Sequence, residues 1–207
     1  MIRRRHPGPL LGLILACGAL CGCVSVFPKE PPAQLYRFGA DIAPAQRTAA
    51  AQFAVQVLPT GFDRPAAGDG ILTMTGEEAA YIRGSRWVAP AATLFETALV
   101  RAFDANTGPA RLIGRGEIAS ADYFLKLDVR RFEADYDHGR QSAPTAVIEI
   151  YADLSRAGDR SEAVQHIFQT SVPADDNRAG AIAAAFDAAT RKALGNVVDW
   201  VNAKGAA

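Results

Sequence analysis

No cysteine lies beyond residue 23 of this 207-residue chain; the three present are Cys17, Cys21 and Cys23. A disulfide framework needs an even number of thiols spread through the fold, and a structural zinc site needs four ligands at tetrahedral spacing. Three clustered thiols and the scattered His6, His138 and His166 supply neither. The chain also lacks the ~20 consecutive apolar residues that a helix needs to cross a bilayer. It lacks a charge excess, with 22 basic and 22 acidic residues. That argues against nucleic acid, whose phosphates select a basic surface. There is no GxSxG and no phosphate-binding loop. Gly114-Arg115-Gly116 has neither the third glycine nor the following helix of a dinucleotide fingerprint. No internal repeat is visible.

What is present begins at the N-terminus. Arg3, Arg4 and Arg5 are followed by an uncharged apolar run from Leu10 to Leu20 and then by small residues. This is the three-part pattern of an export signal. Leu20-Cys21-Gly22-Cys23 resembles a bacterial lipobox. In such signals the last cysteine is diacylated on sulfur, the peptide is cut before it, and the new amine is then acylated, typically with palmitate. Residues 1–22 are thus expected to be a cleaved lipoprotein signal peptide, with Cys23 lipidated. One acyl chain holds a protein to a membrane only marginally, and more chains make the hold stable. Val24 stands where a signal for inner-membrane retention carries Asp, so the outer membrane is the expected destination. Without residues 1–22 the chain carries 19 basic and 22 acidic residues, a net charge of −3 with histidine neutral. Pro28, Pro31 and Pro32 keep the next stretch extended. Residues 23–34 therefore read as the lipidated cysteine and a proline-rich tether, and residues 35–204 as one domain.

Within that domain, Tyr36–Phe38 and the alternating Phe53–Leu58 read as strands. Ile71–Thr75 and Ala80–Arg86 read as a hairpin around Gly76-Glu77-Glu78. Leu94, Phe95, Ala98, Leu99, Ala102 and Phe103 recur at helical spacing, with Pro90 at the first turn and Asn106-Thr107-Gly108-Pro109 as a stop. A short strand follows at Arg111–Glu117. Tyr123, Leu125, Leu127 and Val129 are then apolar at odd positions, but Phe132, Ala134 and Tyr136 at even ones. One strand keeps both sets on one face only if it is bulged, so a β-bulge is predicted at Arg130-Arg131. Ala146 to Leu154 alternate cleanly, and Val164, Phe168, Thr170 and Val172 mark the last strand. Ile182, Phe186, Ala189, Ala193, Val197, Trp200 and Val201 form one stripe of a C-terminal helix, with Asp187 and Arg191 four apart on its polar side. The expectation is an α+β fold: a mixed, mostly antiparallel sheet of about six or seven strands with two main helices packed on one face.

Candidate chemistry is sparse. Asp135, Asp137 and His138 crowd one strand end, as metal ligands or as a solvated rim. His166 reads as a polar residue on a strand face or edge. Glu77-Glu78 and Asp175-Asp176 read as turn and helix-start charges. No catalytic constellation, cofactor site or metal site is expected.

The order of the elements is more specific than any one motif. Tyr36-Arg37-Phe38, then VQVLP at 55–59, a hairpin, Arg86-Trp87-Val88-Ala89-Pro90 opening a helix, Ala121-Asp122-Tyr123-Phe124-Leu125 starting a long strand, and an Ala-rich helix closing with Trp200 resemble the ABC-type transport auxiliary lipoproteins, the PqiC-like family. Arg37 and Val88 depart from the family's usual aliphatic residue and alanine. The resemblance implies a non-enzymatic lipoprotein, anchored by its lipid on the periplasmic face of the outer membrane. Its partners would be an MCE-domain protein and the permease and ATPase of an inner-membrane ABC transporter, in lipid transport between membranes and envelope integrity. Partner contacts are expected at Asp135, Tyr136 and Asp137, because binding residues gather on loops of a rigid scaffold. Trp87 reads either as core packing or as an interface residue, and a homo-oligomer stays open. The rivals are a lipid-anchored enzyme acting on the envelope and a chaperone for outer-membrane assembly.

Overall fold

The computed structural model describes residues 32–45, 50–159 and 163–206. The cysteines, the export signal and most of the tether lie outside them. Residues 33–207 form one compact unit. Its elements in chain order are β1 (Gln34–Tyr36), β2 (Phe53–Val57), β3 (Gly61–Phe62), α1 (Arg64–Ala67), β4 (Gly70–Thr75), β5 (Glu78–Trp87), α2 (Ala91–Asp104), β6 (Ala110–Leu112), β7 (Tyr123–Asp135), β8 (Thr145–Arg156), β9 (Ala163–Pro173) and α3 (Ala179–Gly205).

Strand β7 is the hub. One edge pairs with β8 along its whole length, and β8 pairs in turn with β9. The other edge is shared by three short parallel strands: β2 at Tyr123–Leu125, β3 at Asp128–Val129 and β4 at Ala134–Asp135. Beyond them, β6 extends the sheet from β2, while β5 and then β1 extend it from β4. The described residues make a nine-stranded sheet. The mixed α+β class matches the sequence expectation, with more strands than the six or seven expected. The three antiparallel ladders are the long ones, and the five parallel ladders span two or three residues each.

The predicted bulge is present. Val129 pairs with Ile150 and Arg131 with Glu149, so Arg130 is the extra residue. Val129 and Phe132 are consequently both buried on the same face. Phe132 then sits among Phe38 and Phe186, with ring centroids 5.0 and 4.9 Å away, and Phe62 at 5.5 Å. Trp87 joins this cluster edge-on, 5.0 Å from Phe38 and 5.3 Å from Phe186. At 2% exposure it is a core residue.

Helices α2 and α3 cover the apolar face. Phe95, Ala98, Leu99 and Phe103 of α2 are buried, as are Ile182, Phe186, Ala189, Ala193, Val197 and Val201 of α3. The α3 helix runs through Gly195, whose absent Cβ would meet nothing within 4 Å. Asp187 and Arg191 pair at 3.0 Å. Asn202 ties the end of α3 to the β6 side: its carboxamide oxygen accepts from the Ala110 amide at 3.0 Å, and its nitrogen donates to the Asn106 oxygen at 3.0 Å. The opposite face of the sheet is polar. There Gln165 donates to Asp153, Gln169 donates to Glu149, and the Arg130 guanidinium lies 4.4 Å from the Tyr151 ring centre.

Three expectations shift. The strand expected at Arg111–Glu117 is only Ala110–Leu112, because the chain turns at Gly114, whose carbonyl accepts from the Glu117 amide. The first strand covers Gln34–Tyr36 rather than Tyr36–Phe38, because Phe38 leaves the sheet to fill the aromatic cluster. Strand β3 and helix α1 were not foreseen. Both are too short to carry a period.

Candidate functional site

Two surface features stand out, at different places. The first is a groove of about 580 Å³ between the chain after β2, the exposed flank of α2 and the chain after β6. Pro59 ends the β2 ladder. The Leu58 amide still donates to the Leu125 carbonyl at 2.9 Å, so the segment stays against β7 until β3 begins. Leu58 and Pro59 thereby form one wall. Leu99 and Val100 of α2 form the floor, and Leu112 and Ile113 the second wall. Val100 is 49% exposed, on the flank of α2 that would ordinarily be polar.

The lip of the groove is a closed turn at Gly114–Glu117. The Glu117 carboxylate accepts from the Gly114 amide and from the Arg111 guanidinium, each at 2.8 Å. The Gly114 carbonyl accepts from the Glu117 amide at 3.0 Å. These bonds hold the Glu117 carboxyl below its ordinary value, the Gly114 amide first and Arg111 second. Gly116 takes φ +80°, which a side chain would resist. Just beyond the lip, Ile118 stands wholly in solvent. An apolar trough beside exposed Val100 and Ile118 is suited to contact with another apolar surface.

The second feature holds the three residues expected to meet a partner. Asp135 ends β7 opposite Thr145. Its carboxylate pairs with Arg131 at 3.2 Å. Burial pushes the Asp135 carboxyl up, and the charge and hydrogen bond of Asp137 push it the same way, with Arg131 opposing. Tyr136 donates its hydroxyl to the Asn177 side chain at 2.8 Å and its amide to Met74. Burial raises the Tyr136 hydroxyl. Asn177 donates to the Arg140 carbonyl, and Arg140 pairs with Glu78 at the tip of the β4–β5 hairpin. Three loops are thus tied into one rigid rim, and Tyr136 is partly spent on that tie. Among the described residues, no three His, Cys, Asp or Glu side chains are grouped to hold a metal ion. His138 does not join the two carboxylates in such a group. His166 lies on exposed strand surface, with its ring 4.5 Å from Phe168 and 6.2 Å from Trp200.

The rim and the groove do not share residues. The groove escaped the sequence because its walls come from three separate segments, 56–60, 96–100 and 112–117. Its one local trace is Val100, an apolar residue outside the helical stripe of α2.

The sequence model of the ABC-type transport auxiliary lipoprotein components matches residues 36–198. The chain belongs to that family. Its fold is similar to that of a Xanthomonas campestris protein of known crystal structure. That protein is 28% identical, with a TM-score of 0.67 over 84% of this chain and 97% of that one. An uncharacterized protein at 13% identity shares the fold with a TM-score of 0.64, over 83% of this chain and 99% of that one. A hypothetical protein of Chlamydia trachomatis does so at 10% identity and 0.51, over 73% and 96%. No curated protein matches the chain. The family resemblance now has a physical content. Tyr36 docks β1 on β5 opposite Trp87, Trp87 anchors the aromatic cluster, and Asp122 aligns β2 with β7 through the Ala54 amide. Trp200 packs α3 on Phe168. These motif residues build the domain.

Proposed function

We propose that this lipoprotein is the outer-membrane-anchored auxiliary component of an MCE-type ABC transport system, which moves lipids between the two membranes and supports envelope integrity. The family match across residues 36–198 is the observation that carries this reading. Cys23 bears the lipid anchor after residues 1–22 are removed, and the proline-rich segment to residue 34 sets the domain off the membrane. The domain binds rather than catalyses, and ATP hydrolysis belongs to the transporter. It presents two surfaces to its partner: the rim at Asp135, Tyr136 and Asp137, and the apolar groove floored by Leu99 and Val100. A rigid sheet that holds polar loops and an open apolar trough is suited to docking a protein without changing shape.

The test is recovery of partners from envelope membranes after gentle crosslinking. Wild type should bring down the MCE protein, the permease and the ATPase, and Cys23→Ala should lose them. Mass spectrometry of the mature N-terminus should find a lipid on Cys23. Turnover of an envelope substrate with no such partner recovered would replace this reading with an enzymatic one.

A further inference from the structure

The sheet ends, on the β8 side, in an edge whose usual protection is confined to its last residue, Pro173. Among the described residues no strand pairs with the outer edge of β9. Long edges are normally blunted by charge, by proline or by a bulge, because their open amides and carbonyls recruit further strands. Residues 163–172, AVQHIFQTSV, contain no Lys, Arg, Asp, Glu or Pro. The β8–β9 ladder runs its eleven residues without a register shift, so no bulge twists the edge away. Val164 is 42% and Ile167 48% exposed, one on each face.

We propose that the β9 edge pairs antiparallel with β9 of a second copy of this chain across a two-fold axis normal to the sheet. Three features favour a second copy over a foreign strand. First, an uncharged strand can face its own copy without placing like charges opposite each other. Second, helix α3 packs as much on β8 as on β9, so its axis lies over the space between them. With strands about 4.8 Å apart, joining two β9 edges sets the two α3 axes about 10 Å apart, within reach of the 8–10 Å at which helices pack. Third, the flank of α3 that would meet its copy is already apolar at one point. Trp200 is half-buried there, 5.8 Å from Phe168, and the second copy would cover it. Lys192 and Asp199 are exposed on the same side of α3. Two antiparallel α3 helices bring each Lys192 toward the partner's Asp199. The axis normal to the sheet keeps both helix layers on one side and leaves the polar faces continuous. Cross-strand neighbours must then share a face, so one β9 residue lies directly opposite its own counterpart.

That last property makes the pairing testable in the full-length lipidated chain, in which the lipid blocks the thiol of Cys23. Single cysteines placed at Gln165, Ile167, Gln169 and Ser171 are treated in native membranes with a thiol crosslinker spanning about 8 Å, the reach of a diagonal cross-strand pair. Crosslinked dimer should peak at one or two adjacent positions and fall off on both sides. Adding Ile167→Lys to a neighbouring peak variant should cut the yield at least tenfold, with the thermal melt unchanged. Equal yields at all four positions, or none, overturn the pairing. So does a β9 cysteine that links only to a cysteine at Leu35 on the far edge, which is head-to-tail assembly, or only to another protein. The inference is independent of the transport partners proposed above: loss of MCE recovery leaves it standing, and loss of the crosslink leaves them standing.

Discussion

The Asp122 carboxylate accepts the Ala54 amide at 2.7 Å, while the Asp122 amide donates to the Ala54 carbonyl at 2.9 Å. One residue just ahead of β7 thus holds both polar groups of a buried residue in β2. The Asp122 carbonyl also accepts from Ala157 at the end of β8. Three strands are fixed in register at a single position. Asp122→Ala should therefore cost about 1.5–3 kcal/mol, because a charge-assisted bond is lost and a buried amide is stranded. Asp122→Asn, which keeps an acceptor, should cost less. Urea unfolding would check this as a lower midpoint with an unchanged slope. Equal stability of wild type and Asp122→Ala would count against this role.

Gly39 takes φ +66°, and a Cβ there would stand 2.4 Å from the Cβ of Ala98 in α2. Its amide donates to Asp187 at 2.7 Å, and its carbonyl accepts from Arg101 at 3.0 Å. The backbone has no room to move away. Gly39→Ala should lose about 2–4 kcal/mol from the left-handed conformation and the overpacking together. Ala98→Gly in the same chain should return at least 1 kcal/mol of that loss, a coupling that a double-mutant cycle resolves.

Two carboxyls should titrate on opposite sides of their ordinary values. Asp135 lies above 3.8, raised by burial and by Asp137, and Glu117 lies below 4.5, lowered by the Gly114 amide and Arg111. The signs for stability follow. Ionised Asp135 destabilises the fold, so its cost is absent below the unfolded value and grows as the pH rises toward the folded one. Glu117 stabilises the lip of the groove above the ordinary glutamate value, and this is lost as the pH falls through its lowered folded value. Carboxyl NMR titration reads both midpoints directly. Asp137→Asn should bring Asp135 down, and Arg111→Met should bring Glu117 up. Identical midpoints in these variants would contradict the assigned causes.

Much of the domain was legible in the sequence because its long elements obey one period each. The β7 pattern located the bulge to the pair Arg130-Arg131, since apolar parity between Val129 and Phe132 can change only where an extra residue is inserted, and the register then singles out Arg130. The stripe of α3 survived Gly195 because eleven buried side chains outweigh about 1 kcal/mol of helix propensity. What stayed hidden was set by long-range pairing. The two residues of β3 have no periodicity, and only β7 makes them a strand. That β7 gives one edge to three parallel strands is a matter of topology, which no local pattern records. Trp87, by contrast, showed itself as important without showing why, because a core anchor and an interface anchor are the same residue in a sequence.

The last prediction separates the bulge from the strand that carries it. Arg130 is the extra residue opposite Glu149, and it contributes its cation over Tyr151 at 4.4 Å. Deleting Arg130 leaves Val129 and Arg131 on consecutive pairs with Ile150 and Glu149. Val129 and Phe132 then still face the core, so the hydrophobic set keeps its side. The direct losses are the exposed cation–π contact, about 0.5–1 kcal/mol, and the exposed Arg130–Asp128 ion pair at 3.5 Å, which contributes little in water. A further cost arises on the other edge of β7, where β3 ends at Val129 and β4 begins at Ala134 and would be drawn together by one strand residue, about 3.3 Å. Deleting Lys126 instead inverts the face of every β7 residue on one side of it, turning either Tyr123 and Leu125 or Leu127 and Val129 toward water. The Arg130 deletion should therefore give a cooperative thermal melt at lowered temperature, and the Lys126 deletion no cooperative melt at all. Circular dichroism of the two purified deletions decides the matter. If both melt alike, the bulge is not what keeps the two halves of β7 on one face.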